Sequence, residues 1–414
     1  MKTLHTSDWH LGRLLYGRKR YEEFEAFLEW LETTIHSEAI ECLLIAGDVF
    51  DTNTPSNRAQ ALYYQFLAKV SQTTCRHIVV IAGNHDSPSL LDAPKSILSA
   101  LNVYVVGTAS EHPKEEVIVL KDKQNIPEAI ICAVPYLRDR DIRKVEMGES
   151  LEDKDQKLKL GIQQHYEQVC AAAKQIKDGY QEIHQDRHIP MIGMGHLFAA
   201  GGKTLEGDGV RELYVGSLAH VHAHIFPDYL DYVALGHLHV PQIVNQQSHI
   251  RYCGSPIPMG FGEAKQQKLV LVVSFDNTKL DIKEIAIPCF QPLVKLSGDL
   301  EKITTELNEL IAQKSNAWLE IEYTGKDIIG NLPEQVNTII EDSDIEIRRI
   351  KNKRVFDRVI NKAHETETLE DLSELEVFER CLSNHDIHEY GRQDLLDCYH
   401  QVLNELNHAD PLAE

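Results

Sequence analysis

The chain has 414 residues, of which 43% are apolar, enough for two or three domains at roughly 100 to 200 residues each. No charged segment followed by an apolar one opens it, and no apolar run approaches the ~20 residues of a membrane-spanning helix, so export and membrane insertion are excluded as expectations and a soluble, cytoplasmic protein is expected. The formal charge of −22 excludes a generally basic surface and weighs against a nucleic-acid partner, although residues 361–414 alone hold 14 Asp plus Glu against 3 Lys plus Arg.

Along the first 140 residues, short apolar runs alternate with helical patterns. Leu4 to Ser7, Cys42 to Ala46 and His77 to Ala82 read as strands, and Tyr21 to Ile35 and Asn57 to Val70 as helices. That alternation predicts an α/β sheet. The stretch from Ala59 to Leu67 suits either the core or a helix paired with a second copy. Further strands are predicted at Val117 to Leu120, Ala129 to Val134, Met191 to Gly195, Tyr232 to Leu235 and Leu269 to Phe275, with one long helix from Lys157 to Ile176. A first domain of residues 1–285 follows. Residues 286–360 alternate strand-like and helix-like segments without concentrating catalytic residue types, which predicts a small second domain. Residues 361–414 combine an acidic linker with two amphipathic helices, suited to a partner or to packing on their own domain. Eight cysteines are scattered without a Cys-x-x-Cys pair, which predicts buried free thiols.

The chemistry lies in five blocks just after predicted strands: Asp8-x-His10, Gly47-Asp48-x-x-Asp51, Gly83-Asn84-His85-Asp86, Gly195-His196 and Gly236-His237-x-His239. Residues two apart on extended backbone point the same way, so each Asp-x-His or His-x-His pair can aim at one centre. A glycine ahead of the ligand permits a sharp turn and a close approach. Carboxylate, imidazole and amide ligands suit Mn²⁺, Fe²⁺ or Zn²⁺. Two such ions can clamp a phosphoester in line.

These blocks, in this order, resemble the signature of the calcineurin-like metallophosphoesterase superfamily. A closer resemblance, to the bacterial SbcD exonuclease family, is carried by HTSDWHLGR (His5 to Arg13), IAGDVFD (Ile45 to Asp51), GNHDSP (Gly83 to Pro88), ALGHLHVPQ (Ala234 to Gln242), CGSPIPMGFGE (Cys253 to Glu263) and LSELEVFERCL (Leu372 to Leu382). The resemblance implies a metallophosphoesterase β-sheet sandwich flanked by helices, a small α+β capping domain for DNA recognition and C-terminal helices for an SbcC-type ATPase. It implies two metals, Mn²⁺ in typical members. Asp8, His10 and His239 would hold one, Asn84, His196 and His237 the other, and Asp48 would bridge them. His85 would be the catalytic histidine, and either Asp51 or Asp86 its orienting carboxylate. It also implies exonuclease action on duplex ends, endonuclease action on single strands and hairpins, and a homodimer within a heterotetramer. Action on a small phosphodiester or phosphomonoester is the competing expectation.

Weaker signals remain. Arg13, Arg18, Lys19 and Arg20 are candidate phosphate contacts or a solvated helix start, and Lys203 and Ser255 are further candidate DNA contacts. Gly201-Gly202-Lys203-Thr204 lacks the glycine that a P-loop requires. His220, His222 and His224 resemble a metal clamp but lie outside the family motif.

Overall fold

The computed structural model describes residues 1–142, 150–183, 188–199, 221–276, 279–325, 329 and 331–352, together with Leu382, Leu395 and Tyr399. Chain order begins β1 (Lys2–Thr6), β2 (Leu14–Leu15), β3 (Arg18–Lys19), α1 (Tyr21–Ser37), β4 (Cys42–Ala46), α2 (Asn57–Val70) and β5 (His77–Ile81). There follow α3 (Pro88–Asp92), α4 (Lys95–Ser99), β6 (Val103–Val106), β7 (Val117–Lys121), β8 (Pro127–Ala133), α5 (Asp139–Ile142) and α6 (Leu151–Ile183). Then come β9 (Met191–His196), β10 (Tyr232–Gly236), β11 (Gln242–Val244), β12 (Gln247–Tyr252), β13 (Leu269–Asp276) and β14 (Lys279–Ala286).

Twelve of these strands form two six-stranded sheets, in the orders β14-β13-β1-β4-β5-β6 and β11-β12-β10-β9-β8-β7. In the first, β1, β4, β5 and β6 run parallel and β13 pairs antiparallel with β1. In the second, β8, β9, β10 and β12 run parallel between antiparallel edges. Alternating side chains assign each strand's faces to different layers. Leu43 and Ile45 of β4 pack with Phe24, Phe27 and Leu31 of α1 and Phe66 and Leu67 of α2. Cys42, Leu44 and Ala46 turn the other way, into a core shared with Ile131, Ala133, Ile192, Met194 and Ala234 of the second sheet. That sheet's opposite face, through Ile130, Met191, Val233 and Leu235, packs on Ile162, Tyr166, Val169 and Ala173 of α6. The layers are therefore helix, sheet, sheet, helix.

The strands and helices lie within a few residues of the predicted spans, with one difference of length. α6 runs 33 residues, well beyond the apolar periodicity between Lys157 and Ile176, because its Glu, Lys and Gln flanks favour helix without needing a core. Ala59, Tyr63, Phe66 and Leu67 of α2 are buried in the core. Five described cysteines are buried free thiols, but Cys289 is exposed.

The chain divides into two compact units, Met1–Lys295 with Asn316–Leu319, and Leu296–Ser315 with the residues from Glu320 on. The predicted boundary at 286 falls earlier. Residues 287–295 group with the first unit, where the Ile287 amide donates to the Lys268 carbonyl at 2.8 Å. The last elements are β15 (Leu293–Gly298), α7 (Leu300–Ala312), β16 (Trp318–Tyr323), α8 (Leu332–Ile340) and β17 (Glu346–Asn352), with the strands in sheet order β15-β16-β17. Ile303 and Leu307 of α7 and Val336 and Ile340 of α8 are buried. The acidic linker and C-terminal helices read between 361 and 414 lie outside the described residues apart from three single positions. Among the described residues, no helix is long and apolar enough to cross a membrane.

Candidate metal centre

Each parallel strand that reaches the site delivers polar residues at its carboxyl end, as open α/β sheets do. Asp8 and His10 follow β1, Asp48 follows β4, Asn84 and His85 follow β5, His196 closes β9, and His237 and His239 follow β10. The loops are tied together beyond the strands, the Asp8 amide donating to the Gly47 carbonyl and the His10 amide to the Asp48 carbonyl, both at 3.0 Å. Asp8, His10, Asp48 and His237 adopt positive φ of 54°, 47°, 50° and 101°, a conformation that costs a side-chain-bearing residue free energy and gathers at functional sites. Gly47 has φ +88°, and a Cβ there would overlap the His196 imidazole.

The donor atoms form two adjoining groups. His10 Nε2 lies 3.1 Å from His239 Nε2, and Asp8, His10 and His239 form one ligand cluster. Asn84 Oδ1 lies 3.1 Å from His196 Nε2 and 2.9 Å from His237 Nδ1. Asp48 Oδ2 stands between the groups, 3.5 Å from His10 Nε2 and 3.3 Å from His196 Nε2. Atoms bound at about 2.0 to 2.2 Å to one ion stand about 3 to 3.5 Å from each other, so these spacings match ligand shells.

Proton bookkeeping gives an independent test of fit. His196 Nδ1 faces the Ala46 carbonyl at 2.9 Å, which only accepts, so Nδ1 carries the proton. Nε2 then faces the oxygens of Asp48 and Asn84, where the ring holds a second proton or, in its neutral form, turns a lone pair to a bound cation. Burial pulls the His196 pKa down, but the charges of Asp48 and Asp8 raise it to about 9, a pocket that favours positive charge. Burial lowers His10 to about 4 and His237 to about 3, leaving them as the neutral imidazoles that bind metals. Burial raises the Asp48 carboxyl, but His196 and His10 outweigh it and hold it well below the carboxylate range.

His85 lies beside the two groups, a ring nitrogen within 4.8 Å of ligand-type atoms of His10 and Asp51. Its ring meets that of His10 edge-on, with centroids 4.7 Å apart, and its amide donates to Asp48 Oδ1 at 2.8 Å. Its Nδ1 lies 2.9 Å from the Asp51 main-chain carbonyl. Neither carboxylate proposed to orient it touches the ring nitrogen. Asp86 instead accepts amides from Gly83, Val49 and Phe50 at 2.8, 3.1 and 2.9 Å and knits two loops together. The Asp51 side chain faces Arg13 at 3.0 Å and His10 Nδ1 at 3.4 Å.

The basic and hydroxyl candidates separate. Arg18 and Lys19 are exposed on a short hairpin, and Arg13 pairs with Asp51. Arg20 is a correction: its guanidinium is buried, forked onto Glu23 at 2.7 and 2.8 Å and bonded to the Pro258 carbonyl. Ser255 is another, fully buried and donating to Glu263 at 3.1 Å. Neither can reach phosphate without unfolding its surroundings. Lys203 and His220 lie outside the described residues, and His222 and His224 are exposed and join no described ligand cluster.

Two buried residues escaped the sequence reading. Glu263 Oε1 lies 3.2 Å from His239 Nδ1, and Lys268 pairs with the same carboxylate. A usable signal was present, since Glu263 is the lone acid in the apolar and glycine-rich run from Ile257 to Ala264, and buried charges require partners.

Residues 1–241 match the family described as calcineurin-like phosphoesterase, and residues 289–386 match the type 5 capsule protein repressor C-terminal domain. Fold, ligand shell and match together define a metal-dependent phosphodiesterase that uses divalent ions. The chain is 36% identical over 409 residues to the SbcD subunit of nuclease SbcCD from Escherichia coli K12, covering 98% of each chain. It is 35% identical to the SbcD protein of Rhodobacter capsulatus, over 71% of this chain and 69% of the relative. The Bacillus subtilis protein is 32% identical over 78% of each. The chain belongs to the SbcD family of SbcCD nuclease subunits.

Proposed function

We propose that the chain is a two-metal DNA nuclease subunit that trims duplex ends, opens single strands and hairpins, and works with an SbcC-type ATPase. The observation that carries this reading is the pair of ligand shells meeting at Asp48 with His85 beside them. Bound at these ligands, two divalent ions, Mn²⁺ in this reading, would polarise a phosphoester and acidify a water near neutral pH.

The residues of the chain supply the rest. Asp48 Oδ2 lies between the shells while its Oδ1 fixes the His85 main chain. With Nδ1–H donating to the Asp51 carbonyl, His85 in its protonated form has its Nε2–H to give to the leaving oxygen and is left neutral, and the carbonyl sets the ring's orientation. Burial of Asp8, His10, Asp48, His196 and His239 excludes bulk water and strengthens each electrostatic contact. Asp51, through its carbonyl on His85 and its carboxylate near His10, couples the acid to one shell. Arg18 and Lys19, exposed on the hairpin that follows the Asp8-x-His10 block, are the described residues we assign to DNA phosphate, with Arg13 as their neighbour and Lys203 as a further contact.

In this reading the first unit, to Lys295, is the nuclease domain, the second unit as far as residue 360 a capping domain that recognises DNA, and 361–414 the linker and helices that hold the ATPase. The assembly is a homodimer within a heterotetramer, in the cytoplasm. Elemental analysis together with cleavage of a labelled DNA hairpin tests the proposal. Two manganese per chain and hairpin opening support it, and a metal-loaded protein that hydrolyses small phosphodiesters but leaves the hairpin intact contradicts it.

A further inference from the structure

Three residues outside the ligand set form a buried network behind one metal ligand, His239. Glu263 and Ser255 have no exposed surface, and His239 and Lys268 retain 2% and 4%. Glu263 Oε1 faces His239 Nδ1 at 3.2 Å. Its other oxygen accepts from the Ser255 hydroxyl at 3.1 Å, from the Met259 amide at 3.0 Å and from the Lys268 ammonium. Lys268 also donates to the His239 carbonyl at 3.1 Å and to Ser255 Oγ at 3.0 Å. The ammonium thus grips the backbone of the ligand residue and the carboxylate behind its ring at once.

A carboxylate can only accept, so in the neutral His239 ring the proton sits on Nδ1 and the lone pair on Nε2 points at His10 and the metal position. Such carboxylate–imidazole pairs fix the tautomer and raise ligand basicity, and their loss typically costs about 10- to 100-fold in metal affinity. The matching nitrogen of His196 faces a backbone carbonyl instead, so the two shells are buttressed unequally.

We infer that Glu263, gripped on its far oxygen by Lys268, Ser255 and the Met259 amide, is a positioning residue that sets the tautomer of His239 and thereby the affinity of the Asp8, His10 and His239 metal position. The inference rests on the two-metal reading. It also accounts for the Cys253 to Glu263 segment, whose Ser255 serves this network.

Glu263→Gln is the informative change. Three donors converge on Oε2, so the amide oxygen will take that side and turn the NH₂ toward His239 Nδ1, driving the ring proton onto Nε2 and blocking the metal-facing lone pair. Titration of metal-free protein with MnCl₂ by calorimetry should show two binding steps in the wild type and one of them weakened about 10- to 100-fold in Glu263→Gln. The control is Glu116→Gln, which removes the charge from a different carboxylate–histidine pair, with half-buried His165 at 2.9 Å, and should leave both steps intact. Unchanged affinities in Glu263→Gln overturn the inference. A wild-type protein that takes up fewer than two Mn²⁺ removes the reading beneath it, and the inference with it. Should Glu263→Gln fail to fold, histidine-selective ¹⁵N NMR of metal-free wild type, with His239→Asn identifying the resonance, decides: an Nδ1–H tautomer supports the inference and an Nε2–H tautomer contradicts it.

Discussion

At the scale of single residues, the structure separates side chains that face the candidate centre from side chains that hold them. His85 keeps its Nδ1 on a main-chain carbonyl, so its orientation depends on the path of the loop at Asp51 more than on any carboxylate. Arg20 lies two residues from exposed Arg18, yet its fork onto Glu23 is buried. Removing one partner of such a pair leaves the other charge stranded, at a cost of about 3–5 kcal/mol. Arg20→Ala should therefore lower the melting temperature measured by circular dichroism while the cleavage rate per folded molecule stays near wild type. A DNA-contact role would show the opposite pattern, with stability kept and DNA affinity lost.

At the scale of elements, the site is a product of strand ends. Local spacing made the residues that gather at the strand ends legible, because an Asp-x-His or His-x-His pair on extended backbone shares a face and a glycine ahead of such a residue marks a close approach. Partners that arrive from distant sequence left little or no local trace, the lone acid at Glu263 apart. Glu263 meets His239 across a turn of the chain, Asp51 reaches His85 through its carbonyl, and Ser255 reads as a polar loop residue although it is buried. The left-handed φ of Asp8, His10 and Asp48 was equally silent, since no residue type there announces it. Gly47 carries a sharp steric demand at this scale, a Cβ there overlapping His196 Nδ1. Gly47→Ala should push the His196 imidazole from its position and lower Mn²⁺ affinity by roughly tenfold or more, read by calorimetry, with secondary structure unchanged by circular dichroism. Wild-type affinity in that variant would mean the close approach is not needed.

For the whole molecule, stability and partnership lie away from the metals. Between β5 and β8, burial raises the Glu128 carboxyl, but hydrogen bonds from His77 and Arg76 outweigh it and bring it from 4.5 down to about 2. A depressed carboxyl stabilises the fold above its unfolded value and loses that contribution as pH falls towards the folded one. The melting-temperature gap between wild type and Glu128→Gln should be full at neutral pH and close between about 4.5 and about 2; a gap that persists to the acid end contradicts the pairing. The alternation of strands and helices was readable from apolar periodicity and the sandwich from the family resemblance, whereas the extent of α6 and the grouping of residues 287–295 with the first unit were not, because polar helix formers and tertiary hydrogen bonds decide both. Deleting residues 365–414 should abolish capture of the ATPase while sparing Mn²⁺-dependent cleavage, and retained capture would show that those helices serve another purpose.

If two ligand shells meeting at Asp48, with His85 beside them, cut DNA, the decisive measurement is Mn²⁺-dependent release of nucleotides from labelled duplex DNA. It is made with and without the ATPase partner, on wild type and on His85→Ala. The expected result is release by the wild type and a loss of about 10²- to 10⁴-fold in His85→Ala, the range for a general acid, with the metal content of the variant unchanged. Hydrolysis of bis-p-nitrophenyl phosphate without any release from DNA, even with the partner present, would contradict this mechanism.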